Sequence, residues 1–562
     1  MTTSPDLSPQ PDLSETGLLR HAKADFMASL VVFLVALPLC IGIAVAVGVS
    51  PARALITGIV GGLIVGIFSG SPLQVSGPAA GLFVILADLL ADSQEKYLAE
   101  IGKSESDAMA YALVVLGMCS FLAGVIQVGA GQLKLGQWFR AVSPAVIKGM
   151  LAGIGILILI SQFHVMLDHV AMWNGDKARG APQLAATIPE AIVKCFSSDT
   201  TANHHLAALT GIIAIACFCI WPLIAPPKIK FLPAALIGIV IATAVANIAG
   251  LEIQKLQITA DFSSEITWPS TAWSTLIMSP NVWVGAVVIA LVASAETLLC
   301  ATAVDQMHKG PRTKYDQELT AQGVGNMICG SLGALPMTGV IVRSSANVNS
   351  GAQTRLSTIM HGIWLLIFVV AVPGVLTYIP KSALGALLVF TGFKLVNIRD
   401  IKSLWQTSRG EAGIYFATVI MIVCTDLLTG VCVGIALSAV KLLVRFSNLQ
   451  MELTVSNDQK QAHLQLKGAA TFIGLPKLAG QLEDVPPGVE LHVDFAHLTY
   501  IDHACLDLLM NWARQHENIG GKLIMDWDKL RGRFSSDSPN QTVGGDDNGD
   551  DDFLGNVPEQ DE

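Results

Sequence analysis

Charge is scarce in this sequence: 14% of its 562 residues are Asp, Glu, Lys or Arg, against about 25% in soluble domains. The 52% of hydrophobic residues gather into blocks apolar all round rather than into amphipathic stripes, which excludes an ordinary soluble fold and implies a polytopic α-helical membrane protein. No cleavable signal is expected either. The first residues are polar and proline-bearing, and the apolar block from Phe26 is too long for a signal core, so the chain is expected to insert through its own helices. The ten cysteines show no metal-type spacing and read as small packing residues. No nucleophile-and-base motif or phosphate loop lies outside the apolar blocks, which argues against an enzyme, and no cofactor or metal is expected. The net charge of −10 comes partly from the 546–562 tail, and nucleic acid is not expected as a partner.

Apolar segments lie near 26–48, 52–69, 77–91, 108–130, 142–163, 204–224 and 232–249, then near 282–304, 315–334, 343–353, 356–375, 382–396, 411–427 and 429–446. The expectation is 14 transmembrane segments arranged 7+7 as an inverted repeat, repeat one about 26–249 and repeat two about 282–446, after a cytoplasmic segment 1–25. Lys134 and Arg140, Lys228 and Lys230, Lys309, Arg312 and Lys314, and Arg399, Lys402 and Arg409 fall in alternate loops, which places those loops and both termini in the cytoplasm. Residues 451–528 then alternate strand-like and helical stretches, as a small α/β cytoplasmic domain does, and a disordered acidic tail is expected over 531–562.

Glu296 stands alone as an ionisable group in the run 282–304. An unpaired acid at the bilayer centre costs about 2.5–3.5 kcal/mol, so it is a functional candidate by default. The third segment of each half is broken by Gly and Pro, at 66–81 and 330–345, and matching breaks of this kind point to a transporter's site. Half-helices meeting there would offer free N–H groups and two positive dipole ends to an anion. Gly77, Pro78, Ala79 and Ala80 are expected to open the first, and Arg343, Ser344 and Ser345 the second. Glu296 beside an anion makes sense if it is protonated, or paired with Arg343, when the substrate binds; that would couple proton movement to anion movement.

Ala36-Leu37-Pro38, Ser76-Gly77-Pro78-Ala79, the run from Glu296 to Asp305, the stretch from Asn326 to Arg355, and Val493 to Asp502 together resemble the SulP, or sulfate permease, anion transporters with a carboxy-terminal STAS domain, the bacterial relatives of prestin. The resemblance covers about 18–528. It implies a fold divided into core and gate, a homodimer in the inner membrane, and an elevator-like motion. It also implies an anion site at Leu39, Ile43, Ala79, Glu296, Arg343 and Ser344. Sodium-coupled bicarbonate carriers of the family have Asp at the position of Glu296 and a hydroxyl one turn later, where this chain has Cys300, a poor ligand for a hard cation. Proton coupling is therefore expected rather than sodium coupling, with bicarbonate as the substrate and sulfate or a dicarboxylate as alternatives. His503 follows Asp502 where the soluble STAS relatives carry a phosphorylatable serine. His164, Asp168 and His169 read as a polar helix end, and the acidic run at 546–552 as a solvated tail. An anion channel and a membrane-anchored sensor signalling through the STAS-like domain remain as rival readings.

Overall fold

Ser, Pro and Gly at the block edges decide where the helices begin and end. Ser50 and Ser143 each accept a hydrogen bond from the N–H two residues on, and Pro51 and Pro144 fill the first helical position, where a missing donor costs nothing. Gly48, at φ 84°, closes the first helix in a left-handed turn. The computed structural model describes residues 21–525 apart from breaks at 80, 102–103, 138–142, 175, 179, 197–202, 227–228, 230–231, 258–261, 372, 448 and 457–459. Ala80, Arg140, Lys228, Lys230, most of the amino-terminal segment and the acidic tail lie outside the described residues.

The membrane part runs α1 (Ala22–Val47), α2 (Pro51–Phe68), β1 (Ser76–Pro78), α3 (Phe83–Ile101), α4 (Glu105–Gln132), α5 (Pro144–Met166), α6 (Gly180–Phe196), α7 (His204–Ile224) and α8 (Ala234–Ile248). It continues with α9 (Pro280–Met307), α10 (Tyr315–Ser331), β2 (Met337–Gly339), α11 (Ile341–Asn349), α12 (Leu356–Ala371), α13 (Lys381–Leu395), α14 (Ile398–Thr407), α15 (Arg409–Cys424) and α16 (Leu427–Phe446). Each segment read from the sequence contains a helix, and among the described residues eight helices are long and apolar enough to cross a bilayer. The amphipathic α6 and α14 are additions that hydropathy alone does not show.

Backbone-to-backbone crossings hold these helices together. A Cβ on Gly124 of α4 would lie 2.5 Å from the Gly323 carbonyl oxygen of α10, and one on Gly62 of α2 would lie 2.5 Å from the Gly362 Cα of α12. Lipid supplies no hydrophobic drive between helices, so close approach through small residues takes its place. Exchanging the two halves of the chain carries the α2–α12 crossing onto the α4–α10 crossing, as an internal repeat does. Gly61 and Gly62 also begin a π-helical turn, Gly61–Val65, which lets α2 pass directly behind β1.

The chain divides into two compact units, Met1–Ser438 and Ala439–Glu562. The second contains a four-stranded sheet, β3 (Leu449–Val455), β4 (Gln461–Ala470), β5 (Glu490–Ile501) and β6 (Lys522–Met525), with α17 (Leu475–Glu483) and α18 (His503–Asn518). β3 pairs antiparallel with β4, and the remaining pairs are parallel. Ala462, Leu464 and Leu466 alternate into its core, so β4 extends well past the short 464–466 stretch visible in the sequence. Asp502 caps α18 through the Cys505 N–H and also accepts from the Phe472 N–H. Slight burial works to raise its carboxyl, but these hydrogen bonds outweigh it and hold the group below the usual range.

Candidate functional site

The two broken segments meet as strands. β1 and β2 pair antiparallel with Ser76 opposite Gly339, Gly77 opposite Thr338 and Pro78 opposite Met337. The Val340 N–H donates to the Val75 carbonyl at 2.9 Å and the Ala79 N–H to the Pro336 carbonyl at 3.3 Å. Both half-helices leave from this crossing. Gly77, Pro78 and Ala79 therefore do not open the first one, which starts at Phe83; the extended strand satisfies their backbone instead. The second starts at Ile341, two residues before Arg343. Ser344 is the first residue of α11 whose N–H reaches back along the helix, to Val340, so the N–H groups of Ile341, Val342 and Arg343 have no intrahelical acceptor.

A buried polar scaffold fixes the crossing. Asn326 of α10 accepts from the Met337 N–H at 2.6 Å and donates to Gln127 of α4 at 2.7 Å, and Gln127 donates to Ser294 of α9 at 3.2 Å. Thr297 accepts from the Gly339 N–H at 3.0 Å. Glu318, fully buried, accepts from Ser69 at 2.5 Å, the Ser71 N–H at 3.0 Å, Gln74 at 3.1 Å and Gln322 at 3.0 Å. Four donors on one carboxylate are what a buried charge requires.

Glu296 reaches the start of the first half-helix. Its Oε1 accepts from the Gly81 N–H at 3.3 Å, while Oε2 is enclosed without a well-aligned hydrogen bond, with the unpaired Thr338 hydroxyl of β2 as its polar neighbour. A side chain at Gly81 would meet Glu296 Oε2 and Ile154 Cδ1 of α5, each 3.0 Å from its Cβ, so only glycine fits between them comfortably. Arg343 is fully buried and none of its three side-chain nitrogens has a hydrogen-bond partner. Its guanidinium lies against Gly77, where any Cβ would overlap it, with Cys40 of α1 and His361 of α12 close by. Glu296 and Arg343 do not pair with each other in this structure; the pairing expected from the sequence concerns the substrate-bound state.

The remaining candidates divide into wall and scaffold. Leu39 and Ile43 are buried on α1 and Ala79 is buried beside β1. The Ser344 hydroxyl donates to the Val340 carbonyl at 2.8 Å and accepts from the Val75 N–H at 2.9 Å, which commits it to holding the strands. Cys300 Sγ sits 3.5 Å from that hydroxyl. Ser345 bonds back to the Val342 carbonyl at 3.0 Å. Gly81, Gln127, Thr297 and Glu318 were not singled out from the sequence. Glu318 carried the signal used for Glu296, an acid within an apolar segment, but its place near the polar start of that segment concealed it. A cavity of about 510 Å³ lined by Phe83, Val84 and Asp88 of α3 and by Leu157 and Ser161 of α5 reaches the first turn of α3.

Comparison with known proteins places this geometry. The sulfate permease family matches residues 22–418, and a STAS domain of the Mlab type matches residues 453–526. The chain belongs to the sulfate permease family. Its relatives include YvdB of Bacillus subtilis, a provisionally assigned sulfate transporter, 26% identical over 90% of this chain and 92% of that protein. The bicarbonate transporter BicA of Picosynechococcus sp. is 25% identical over 77% of this chain and 72% of its own length. The transmembrane domain of a cyanobacterial BicA superposes with a TM-score of 0.61 at 21% identity, over 74% of this chain and 98% of that one. Murine Slc26a9, an anion transporter in its inward-facing state, superposes with a TM-score of 0.71 at 16% identity, over 93% of this chain and 90% of that one. This sulfate permease family member is thus an integral membrane anion transporter with a carboxy-terminal STAS domain, in a family of transporters rather than enzymes.

Proposed function

We propose that the chain is a secondary active carrier of bicarbonate, with Glu296 as its coupling group. The carrying observation is the Glu296 carboxylate bonded to the Gly81 N–H with its second oxygen unpaired. It is a built-in anion at one of two half-helix starts. Bicarbonate carries a single charge, and its oxygens can accept both from a protonated Glu296 Oε2 and from the free N–H groups of α11. Sulfate at neutral pH only accepts, and needs Glu296 protonated. A proton on Glu296 removes the competing charge, which links proton and anion movement. Cys300, occupied against Ser344, offers no hard oxygen for sodium.

Alternating access in this reading moves the β1–β2 crossing with its scaffold as a core past a gate containing α5 and α13, in a homodimer of the inner membrane with both termini cytoplasmic. The sulfate-transporter relatives favour a second reading, sulfate on the same site. Uptake of labelled bicarbonate and sulfate into proteoliposomes under imposed proton or sodium gradients tests both. Saturable bicarbonate uptake driven by protons, and no longer so driven in Glu296→Gln, is the expected result. Sodium-driven uptake would overturn the coupling assignment, and sulfate uptake alone would overturn the substrate.

A further inference from the structure

Between α1 and α12 on one side and α8 on the other lies an apolar crevice of about 560 Å³, closed at one end by the turn Pro373–Tyr378. Its walls are aliphatic and aromatic, with Phe33 of α1 and Phe368 of α12 in ring contact at 5.8 Å. On α8 the lining runs from Leu236 to Ile248, about 18 Å at 1.5 Å per residue. That is close to the depth of one leaflet, half of a hydrocarbon core roughly 30 Å thick. Pro38 has no N–H, which leaves the Leu34 carbonyl of α1 without its helical donor, and both residues line the crevice. The Thr243 hydroxyl of α8, also in the lining, has no hydrogen-bond partner.

The polar end of the crevice is positively charged. Asn247, the last polar lining residue of α8, accepts from Lys255 Nζ at 2.8 Å and donates to the Tyr378 carbonyl at 3.0 Å. Lys255 bridges the backbone of Pro380, and the adjacent Lys381 donates from Nζ to Gln254 at 3.1 Å. Both ammonium groups thus bond to neutral amide oxygens. Asp168 acts on Lys381 through space but forms no ion pair with it among the described residues.

We propose that this crevice binds one acyl chain of an anionic phospholipid, with the headgroup phosphate held at Lys255 and Lys381. An aliphatic slot one leaflet deep that ends in two cations matches a phospholipid's tail and head in length and charge. The bound chain lies in the seam between α1 and α8. If the elevator reading above holds, each transport cycle must shear or displace this lipid, and flux becomes sensitive to lipid charge.

The test is native mass spectrometry of the full chain released from mixed phosphatidylglycerol and phosphatidylethanolamine bilayers. Ala244 is exposed and lines the crevice, so Ala244→Trp fills it at little cost to folding; Val240→Trp serves as a second filler. Wild type should retain one lipid per chain, with phosphatidylglycerol favoured. Either filler should reduce retention by about tenfold. Lys255→Gln with Lys381→Gln should keep the lipid but abolish the preference for phosphatidylglycerol. Retention in both fillers equal to wild type, no retained lipid in wild type, or an unchanged headgroup preference in the lysine variant would each overturn the proposal. None of these readouts depends on transport, so a failure of the carrier reading stays distinguishable.

Discussion

The two ends of the β1–β2 crossing differ in backbone and in charge: a helix follows β2 at Ile341 but follows β1 only at Phe83. On the β1 side a carboxylate from α9 reaches in to the Gly81 N–H, and on the β2 side the helix supplies its own arginine, buried against Gly77 with no hydrogen-bond partner. Each strand leads into a half-helix, one with a carboxylate from another helix at its approach and the other with its own buried arginine in its first turn.

Removing the cation should produce the largest change. Arg343→Ala deletes the fixed positive charge of the site, and with charge-assisted contacts worth about 1.5–3 kcal/mol, bicarbonate uptake in proteoliposomes should fall by about a hundredfold. Making the first helix start crowded comes next. Gly81→Ala puts a methyl group at 3.0 Å from both Glu296 Oε2 and Ile154, and uptake should drop by about tenfold while thermal stability changes little. Glu296→Gln keeps the shape and removes the charge. Uptake should remain within about fivefold of wild type, but lose its response to a proton gradient; a retained response would break the asymmetry argument. Glu318→Gln, on the scaffold, should lower thermal stability by removing a charge held by four donors, at about 1–3 kcal/mol, with proton coupling unaffected.

The smallest effect concerns pH at a distance from the crossing. His164 Nε2 lies 3.0 Å from the Leu184 carbonyl and so carries a hydrogen; its Nδ1 then accepts from His169 Nδ1 at 3.1 Å, and His169 Nε2 accepts from Lys194, 3.3 Å away. Every bond in this chain requires both rings neutral. Burial, then Lys194 and His164, push His169 down to about 4, below the usual value of about 6.5. The folded state then binds fewer protons than the unfolded state between those values, so the contribution to stability is complete above about pH 6.5 and is lost as pH falls toward 4. Melting temperature should decline over that window, and His169→Asn should make the decline shallower.

Hydropathy made the helices legible because lipid allows few alternatives to a long apolar helix, and the paired Gly/Pro breaks located the crossing. The strands within those breaks were not legible, since Ser76–Pro78 and Met337–Gly339 are too short for a period-two pattern and are extended only because each pairs with the other. Glu296 stood out as a lone charge, but the lack of an ion pair with Arg343 depends on which way two long side chains turn, a matter of tertiary packing. Gln127 and Thr297 gave no signal because single uncharged polar residues are common in apolar segments. The histidine chain was read as a polar helix end because its closing partners, Leu184 and Lys194, lie on α6, a helix that hydropathy does not reveal.

The glycine crossings carry a mechanical consequence. Where α2 meets α12 and α4 meets α10, backbone touches backbone, and no layer of side chains is present to repack when one helix slides on the other. Those contacts are stiff joints. Any displacement in this protein must instead be taken up at seams cushioned by side chains, such as Leu388 of α13 against Gly42 of α1. The distribution of glycine along the sequence is thus a map of where the molecule bends and where it does not.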